Sequence, residues 1–271
     1  MLWNLDKGKN SPKAKRQEEN IIAGRNAVSE ALRAGRTIDS VYIQRGEKSG
    51  ALLSLAARAK EAGAAVKEAD RKKLDFMCPG EAHQGIVAVA AIKEYATVGD
   101  ILRLAEERGE PPFLVVCDGL EDPHNLGAVI RAAECAGAHG VVIPKRRSVG
   151  LTYAVGRASA GAVEHLPVAR VQNLPRLLED LKAKGVWIYA ADMDGSPWVG
   201  ADLTGPCAFV IGSEGRGVGR LVKEKADFVL SLPIKGKINS LNASVAAGVL
   251  CCEAARQRAG IQAFNPERRD P

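Results

Sequence analysis

Ile211-Gly212-Ser213-Glu214-Gly215-Arg216-Gly217-Val218-Gly219 follows directly on the apolar run Cys207–Ile211 (CAFVI) and places four glycines in nine residues. A strand that runs into a glycine-rich turn brings backbone close to another group. The turn is not a Walker loop, because no Lys-Ser/Thr pair follows its last glycine. Gly215, Gly217 and Gly219 also miss the G-x-G-x-x-G spacing, since Arg220 takes the last position. A dinucleotide fingerprint belongs to the first strand of a fold, with an acid about 20 residues further on. Here the turn comes late and no such acid ends the next strand, which argues against a nicotinamide oxidoreductase.

Outward from this turn, the second half reads as alternating strand and helix. Strands are expected at Phe113–Cys117, Gly140–Ile143, Trp187–Ala191, Cys207–Ile211 and Phe228–Leu232, as short apolar runs. Helices are expected at Leu126–Ala136, Val155–Val163, Leu174–Lys184, Arg220–Lys225 and Leu241–Arg258. That alternation implies an α/β fold with a parallel sheet covered on both faces. The first half is a smaller α/β unit. It has helices at Asn26–Ala34, Leu52–Ala62 and Arg71–Met77, and strands at Ser40–Gln44, Ala65–Glu68 and Gly85–Ala91. Residues 93–111 separate the two, with a charged helix at Val98–Arg108 stopped by Gly109-Glu110-Pro111-Pro112. The organisation is then a basic tail at 1–19, a domain at 20–92, a linker at 93–111, a larger domain at 112–259 and a carboxy-terminal tail at 260–271.

Composition narrows the function classes. The 271 residues are 46% hydrophobic but only 4% aromatic, and the net charge is +6. An excess of cations points to an anionic partner, nucleic acid first. Lys7, Lys9, Lys13, Lys15 and Arg16 concentrate part of it in the amino-terminal tail. The six cysteines form no C-x-x-C pair and read as buried free thiols of a reducing, cytoplasmic setting. The four histidines lack metal-ligand spacing, so no metal is expected. No apolar run reaches membrane-spanning length, and no signal peptide opens the chain.

Three segments carry unusual residues, each at the carboxy end of a strand, where open α/β sheets bind ligands. Asp118–Arg131 holds turn chemistry at Asp122-Pro123-His124-Asn125, with Asn125 placed to cap the next helix. Gly127 in its first turn suggests close packing, and Arg131 either snorkels to solvent or faces an anion. The second segment is the glycine turn, with Glu214 at its centre. The third, Leu230–Val245, places Ser240 and Asn242 around Leu241 at a helix start, where one of them caps.

NLGAVIRAAECAG, FVIGSEGRGVG and LPIKGKINSLNASVAAG, in that order, resemble the three-motif signature of the SpoU (TrmH-like) RNA ribose methyltransferases of the SPOUT class. IIAGRNAVSEALRAG and AHQGIVAVA resemble the small ribosomal-protein-like substrate-binding domain joined to many of them, and the match is to the RlmB-like branch. The resemblance implies a parallel sheet tied into a deep trefoil knot, an S-adenosylmethionine cofactor, a homodimer, and methylation of the ribose 2′-oxygen of a guanosine in 23S rRNA. It places cofactor contacts at Gly212, Leu232, Ile234 and Leu241, with Glu214 and Gly215 shaping the pocket. It places Arg131 at the reacting hydroxyl, completed by Asn125, Glu214, Ser240 and Asn242. Arg25, Asn26 and Gln84 are candidate RNA contacts. A tRNA ribose methyltransferase and a non-catalytic RNA-binding assembly factor are the alternatives.

Overall fold

The computed structural model describes residues 20–46, 49–238 and 240–262. The tail read at 1–19 and residues 263–271 of the second tail lie outside the described residues. The chain forms two compact units. One takes in residues up to Glu94 together with Gly150–Tyr153; the other holds Tyr95–Val149 and everything from Ala154 onward.

The first unit runs β1 (Ile21–Ala23), α1 (Arg25–Arg33), β2 (Ile38–Gln44), α2 (Gly50–Glu61), β3 (Ala65–Ala69), α3 (Arg71–Met77) and β4 (Ile86–Ala90). Its four-stranded sheet has the order β1-β4-β2-β3, with β2 parallel to β3 and antiparallel to β4. β1 escapes a sequence reading because it is three residues long, too short to show a period. Val28, Val41, Leu52, Ala59, Ile86 and Ala88 form the core between sheet and helices.

The second unit takes in the chain from Tyr95, so most of the segment read as a linker, including its helix α4 (Val98–Arg108), belongs to that unit. Ile101 and Ala105 are fully buried, and Ile101 packs into the second core with Leu114 and Val142. The helix is amphipathic, and its charged face alone gave the appearance of a spacer. Then come β5 (Phe113–Asp118), α5 (Pro123–Cys135), β6 (Gly140–Pro144), α6 (Tyr153–Ala158), α7 (Ala162–His165), β7 (Val168–Val171), α8 (Leu174–Lys182), β8 (Trp187–Pro197), β9 (Cys207–Gly212), α9 (Arg220–Lys223), β10 (Phe228–Ser231) and α10 (Ala243–Arg258). The expected single helix at 155–163 is two, because Ala160 and Gly161 adopt left-handed backbone, φ 51° and 92°.

The six strands lie in the order β10-β8-β9-β5-β6-β7, and every pairing is parallel. From β5 the chain winds outward through β6 and β7. It then returns to the other side of β5 through β8 and β9. The winding therefore reverses between β5 and β9, and a crevice opens outside the carboxy ends of those strands. Asp118 and Gly212 are register partners at that edge. No helix among the described residues is long and apolar enough to cross a membrane.

Candidate functional site

All three motif segments meet at this edge. The turn after β9 closes on itself: Ser213 N donates to Gly217 O at 3.1 Å and Gly217 N donates to Ser213 O at 2.9 Å. Gly215 and Gly217 take φ of 78° and 65°, which excludes most side chains. A Cβ on Gly212 would overlap the backbone of Gly217 and Val218. The group that approaches Gly212 so closely is the returning limb of its own turn. Gly219 N, beyond the turn, donates to Asp118 Oδ2 at 2.7 Å and ties it to the end of β5.

Glu214 answers for its place by its partners. Asn125 Nδ2 donates to Glu214 Oε1 at 2.7 Å, and Asn242 Nδ2 donates to the same oxygen at 2.6 Å. Asn242 Nδ2 also reaches Asn125 Oδ1 at 3.0 Å. One residue from each motif enters this cluster. The short distances are those of hydrogen bonds to a charged acceptor.

Asn125 does not cap α5, contrary to the sequence reading. Asp122 is the cap, accepting from His124 N at 3.1 Å, with Pro123 suited to the first helical position. The helix starts three residues early, which frees the Asn125 side chain to cross to Glu214. Asn242 does cap: its Oδ1 accepts from Ser244 N at 2.9 Å and Val245 N at 3.3 Å. It therefore fixes the start of α10 with one end of its amide and the cluster with the other. Gly127 packs as its position suggested, since a Cβ there would meet Val155 O at 2.8 Å and overlap Ala158.

The expected cofactor residues converge. Gly212, Glu214, Gly215, Leu232, Ile234 and Leu241 line one cavity of about 500 Å³, in the range of small-molecule sites. Ser240 and Asn242 also line it. Asp192 and Met193 line it too and escape a sequence reading. They project there because pairing of β8 with β10 jumps from Ala190↔Val229 to Ser196↔Leu230, throwing 191–195 out of register. A second cavity of about 740 Å³ lies across the 213–217 turn and includes Asn125, Arg146, Arg147 and Arg216.

Arg131 is not brought into the cluster. It is exposed on α5, has no side-chain partner among the described residues and lines neither cavity. In the first unit, Arg25 is tied to Gln84, its Nε donating to Gln84 O at 3.2 Å and its backbone N to Gln84 Oε1 at 3.3 Å. Asn26 is exposed beside it. Four cysteines are buried, while Cys135 and Cys252 are exposed, contrary to expectation. Burial pushes the Cys117 thiol up to about 12 and Cys207 up to about 11, so both stay protonated and inert.

Residues 112–252 match the model of the SpoU rRNA methylase family, and residues 21–96 match that for RNA 2′-O ribose methyltransferase substrate binding. YacO of Bacillus subtilis, assigned to the TrmH family of tRNA/rRNA methyltransferases, is 48% identical over 243 residues, 89% of this chain and 97% of that one. The fold is similar to that of the SpoU methyltransferase AviRb from Streptomyces viridochromogenes in complex with AdoMet. The TM-score is 0.57 at 23% identity, over 93% of this chain and 95% of that one. A structure concerned with 2-OH methylation of C/U34 on tRNA matches with a TM-score of 0.50 at 26% identity, over 55% of this chain and 98% of its own. The chain belongs to the SpoU rRNA methylase family, with the methylase module in its second unit and a substrate-binding module in its first.

Proposed function

We propose that the protein is an S-adenosylmethionine-dependent RNA methyltransferase that methylates a ribose 2′-oxygen, that of a guanosine in 23S rRNA. The observation that carries this reading is the meeting of Asn125, Glu214 and Asn242 between two cavities, with Glu214 and Asn242 lining the 500 Å³ one and Asn125 its neighbour. The cavity suits an adenosyl group. Leu232, Ile234 and Leu241 offer apolar surface for the ring, and Gly212 and Gly215 bring main chain to the cavity wall. When bound, S-adenosylmethionine supplies an electrophilic methyl group.

The chain's own residues hold and orient. Glu214 is a positioning residue that fixes both amides. Ser240 stands exposed at the cavity wall. A guanidinium stays charged at any working pH, so Arg131 clamps the phosphate beside the acceptor and aligns the hydroxyl. The proton leaves to phosphate or water. Much of the acceleration is then positional. Arg131 lines neither of the two cavities and serves this role from a second copy in a homodimer. The apolar groove of Val245, Gly248, Val249 and Cys252 on α10 suits that interface. The segment after β10, which carries Asn242 back to the turn, forms the knot.

Recognition of rRNA rather than tRNA is supported by the length of the tRNA-linked structure, which is 98% covered by a match to only 55% of this chain. Arg25, Asn26 and Gln84 contact the RNA from that unit. The test is methyl transfer from radiolabelled S-adenosylmethionine to separated 23S rRNA, 16S rRNA and tRNA from cells lacking the gene. Label enters 23S rRNA alone, and Arg131→Ala removes it while cofactor affinity stays within about twofold. Label in tRNA overturns the acceptor, and full turnover by Arg131→Ala removes that residue from the mechanism.

A further inference from the structure

The second cavity opens outside the carboxy ends of β9, β5, β6 and β7, adjacent in the sheet in that order. The 213–217 turn separates it from the cofactor cavity. Arg216 enters from the β9 side, and Arg146 and Arg147 from the loop after β6. Cations therefore flank the β5 loop on both sides. All three guanidiniums are exposed, and none has a side-chain partner among the described residues. Unpaired guanidiniums around a cavity mark a site for phosphate, which they bind bidentately.

The loop that carries two of them is held in place. Lys145 N donates to Val171 O at 2.7 Å and Val149 N to Leu120 O at 2.9 Å. Arg147 takes left-handed backbone, φ 56°, a strained conformation for a non-glycine residue that recurs at ligand sites. The starts of α5, 13 residues long, and α8, 9 residues long, also border the cavity. Of the four carboxylates there, Asp118 is engaged by Gly219 N, Asp122 by His124 N, and Glu214 by Asn125 and Asn242. Glu121 alone is exposed and without a partner among the described residues.

We infer that this second cavity receives the acceptor nucleotide, with Arg216 and the Arg146–Arg147 pair holding the phosphates on its two sides. Glu121 accepts from the amino edge of the base. A nucleotide turned out of its helix exposes both features at once. Guanine carries the exocyclic amine that a carboxylate reads. This inference rests on the reading of the protein as an RNA ribose methyltransferase.

Two variants test it in the full-length protein. In the first, Arg146→Ala is combined with Arg147→Gly, which preserves the left-handed backbone. Neither residue lines the cofactor cavity, so S-adenosylmethionine affinity stays at the wild-type value. Affinity for the unmodified rRNA drops about tenfold at physiological salt, and the slope of log K against log salt becomes shallower by about 0.7, the value for one phosphate of a single strand. Wild-type affinity and slope overturn the phosphate assignment. In the second, Glu121→Gln is assayed on RNA carrying guanosine or inosine at the mapped acceptor. The wild type favours guanosine about tenfold, and the variant does so no more than about twofold. Equal discrimination by both proteins overturns the role of Glu121. A wild-type protein that binds cofactor and RNA yet transfers no methyl group overturns the methyltransferase reading instead, and the salt slopes still decide the arginines.

Discussion

Asn242→Asp isolates the polar cluster from the helix cap. Aspartate caps a helix as well as asparagine does, so the bonds to Ser244 N and Val245 N survive. Those bonds hold one oxygen in place and force the other into the position of Nδ2, which lies 2.6 Å from Glu214 Oε1. A bond to a charged acceptor, about 1.5–3 kcal/mol, is lost, together with the neutral one to Asn125, about 1 kcal/mol. Repulsion between the carboxylates adds between about 1 kcal/mol, the bulk-water value, and about 4 kcal/mol near a protein surface. Both residues are exposed on one side, so the lower part of that range applies. The expected loss is about 3.5–5 kcal/mol at pH 8.

The sign with pH is fixed by the same geometry. Two adjacent carboxylates raise each other's folded-state pKa. A raised carboxylate pKa stabilises below the unfolded value, near 4, and that contribution is lost as pH rises through the folded value. The variant therefore lies closest to wild type in acid and falls behind as pH rises. Denaturant unfolding of both proteins at pH 5 and pH 8, with S-adenosylmethionine titrations beside it, measures this. A variant as stable as wild type at pH 8, or a stability difference that does not change with pH, refutes the reasoning.

Two further outcomes follow from particular contacts. Gly212→Ala forces the 213–217 turn off the end of β9, and destabilises by about 3 kcal/mol with loss of cofactor binding. Gly215→Ala meets open space and costs about 1 kcal/mol of left-handed strain; equal unfolding midpoints for the two variants would sink the distinction. His139, fully buried, accepts from Phe113 N through Nδ1 at 3.0 Å and faces Glu110 Oε2 through Nε2 at 3.0 Å. Burial lowers its pKa, Arg108 and Arg258 add to this, and Glu110 opposes it. Its stabilisation is therefore present above the ordinary histidine value near 6.5 and is lost as pH falls below it toward the folded value. Denaturant midpoints in which His139→Asn keeps the wild-type slope between pH 7.5 and 5.5 would contradict this.

Much of the fold was legible because its signals are local. The apolar run Phe113–Cys117 is a buried parallel strand, and the alternation of the second half is a parallel sheet. β7, Val168–Val171, went unseen because four residues interrupted by Arg170 look like a loop. The motif residues could be listed, but their chemistry could not be assigned from spacing. Asn125 and Glu214 are 89 residues apart, and Asn125 and Asn242 are 117 apart. Only the return of the chain to the β5–β9 edge makes them neighbours. Arg146, Arg147 and Arg216 leave no trace in sequence, since arginines after a strand are ordinary until the sheet order sets them around one cavity. Arg131 shows the reverse: its motif position is distinctive, yet among the described residues it has no side-chain partner and lines neither cavity.

The 213–217 turn is a shared partition. Ser213, Glu214, Arg216 and Gly217 border the cavities on both sides of it. A ligand that draws the turn toward one side reshapes the other, so occupancy of the two cavities is thermodynamically linked. That linkage is reciprocal: whatever factor a bound cofactor contributes to RNA affinity, bound RNA returns to cofactor affinity. A five-residue turn held by two backbone bonds thus makes the affinity of each cavity depend on the other by the same factor, whichever is filled first.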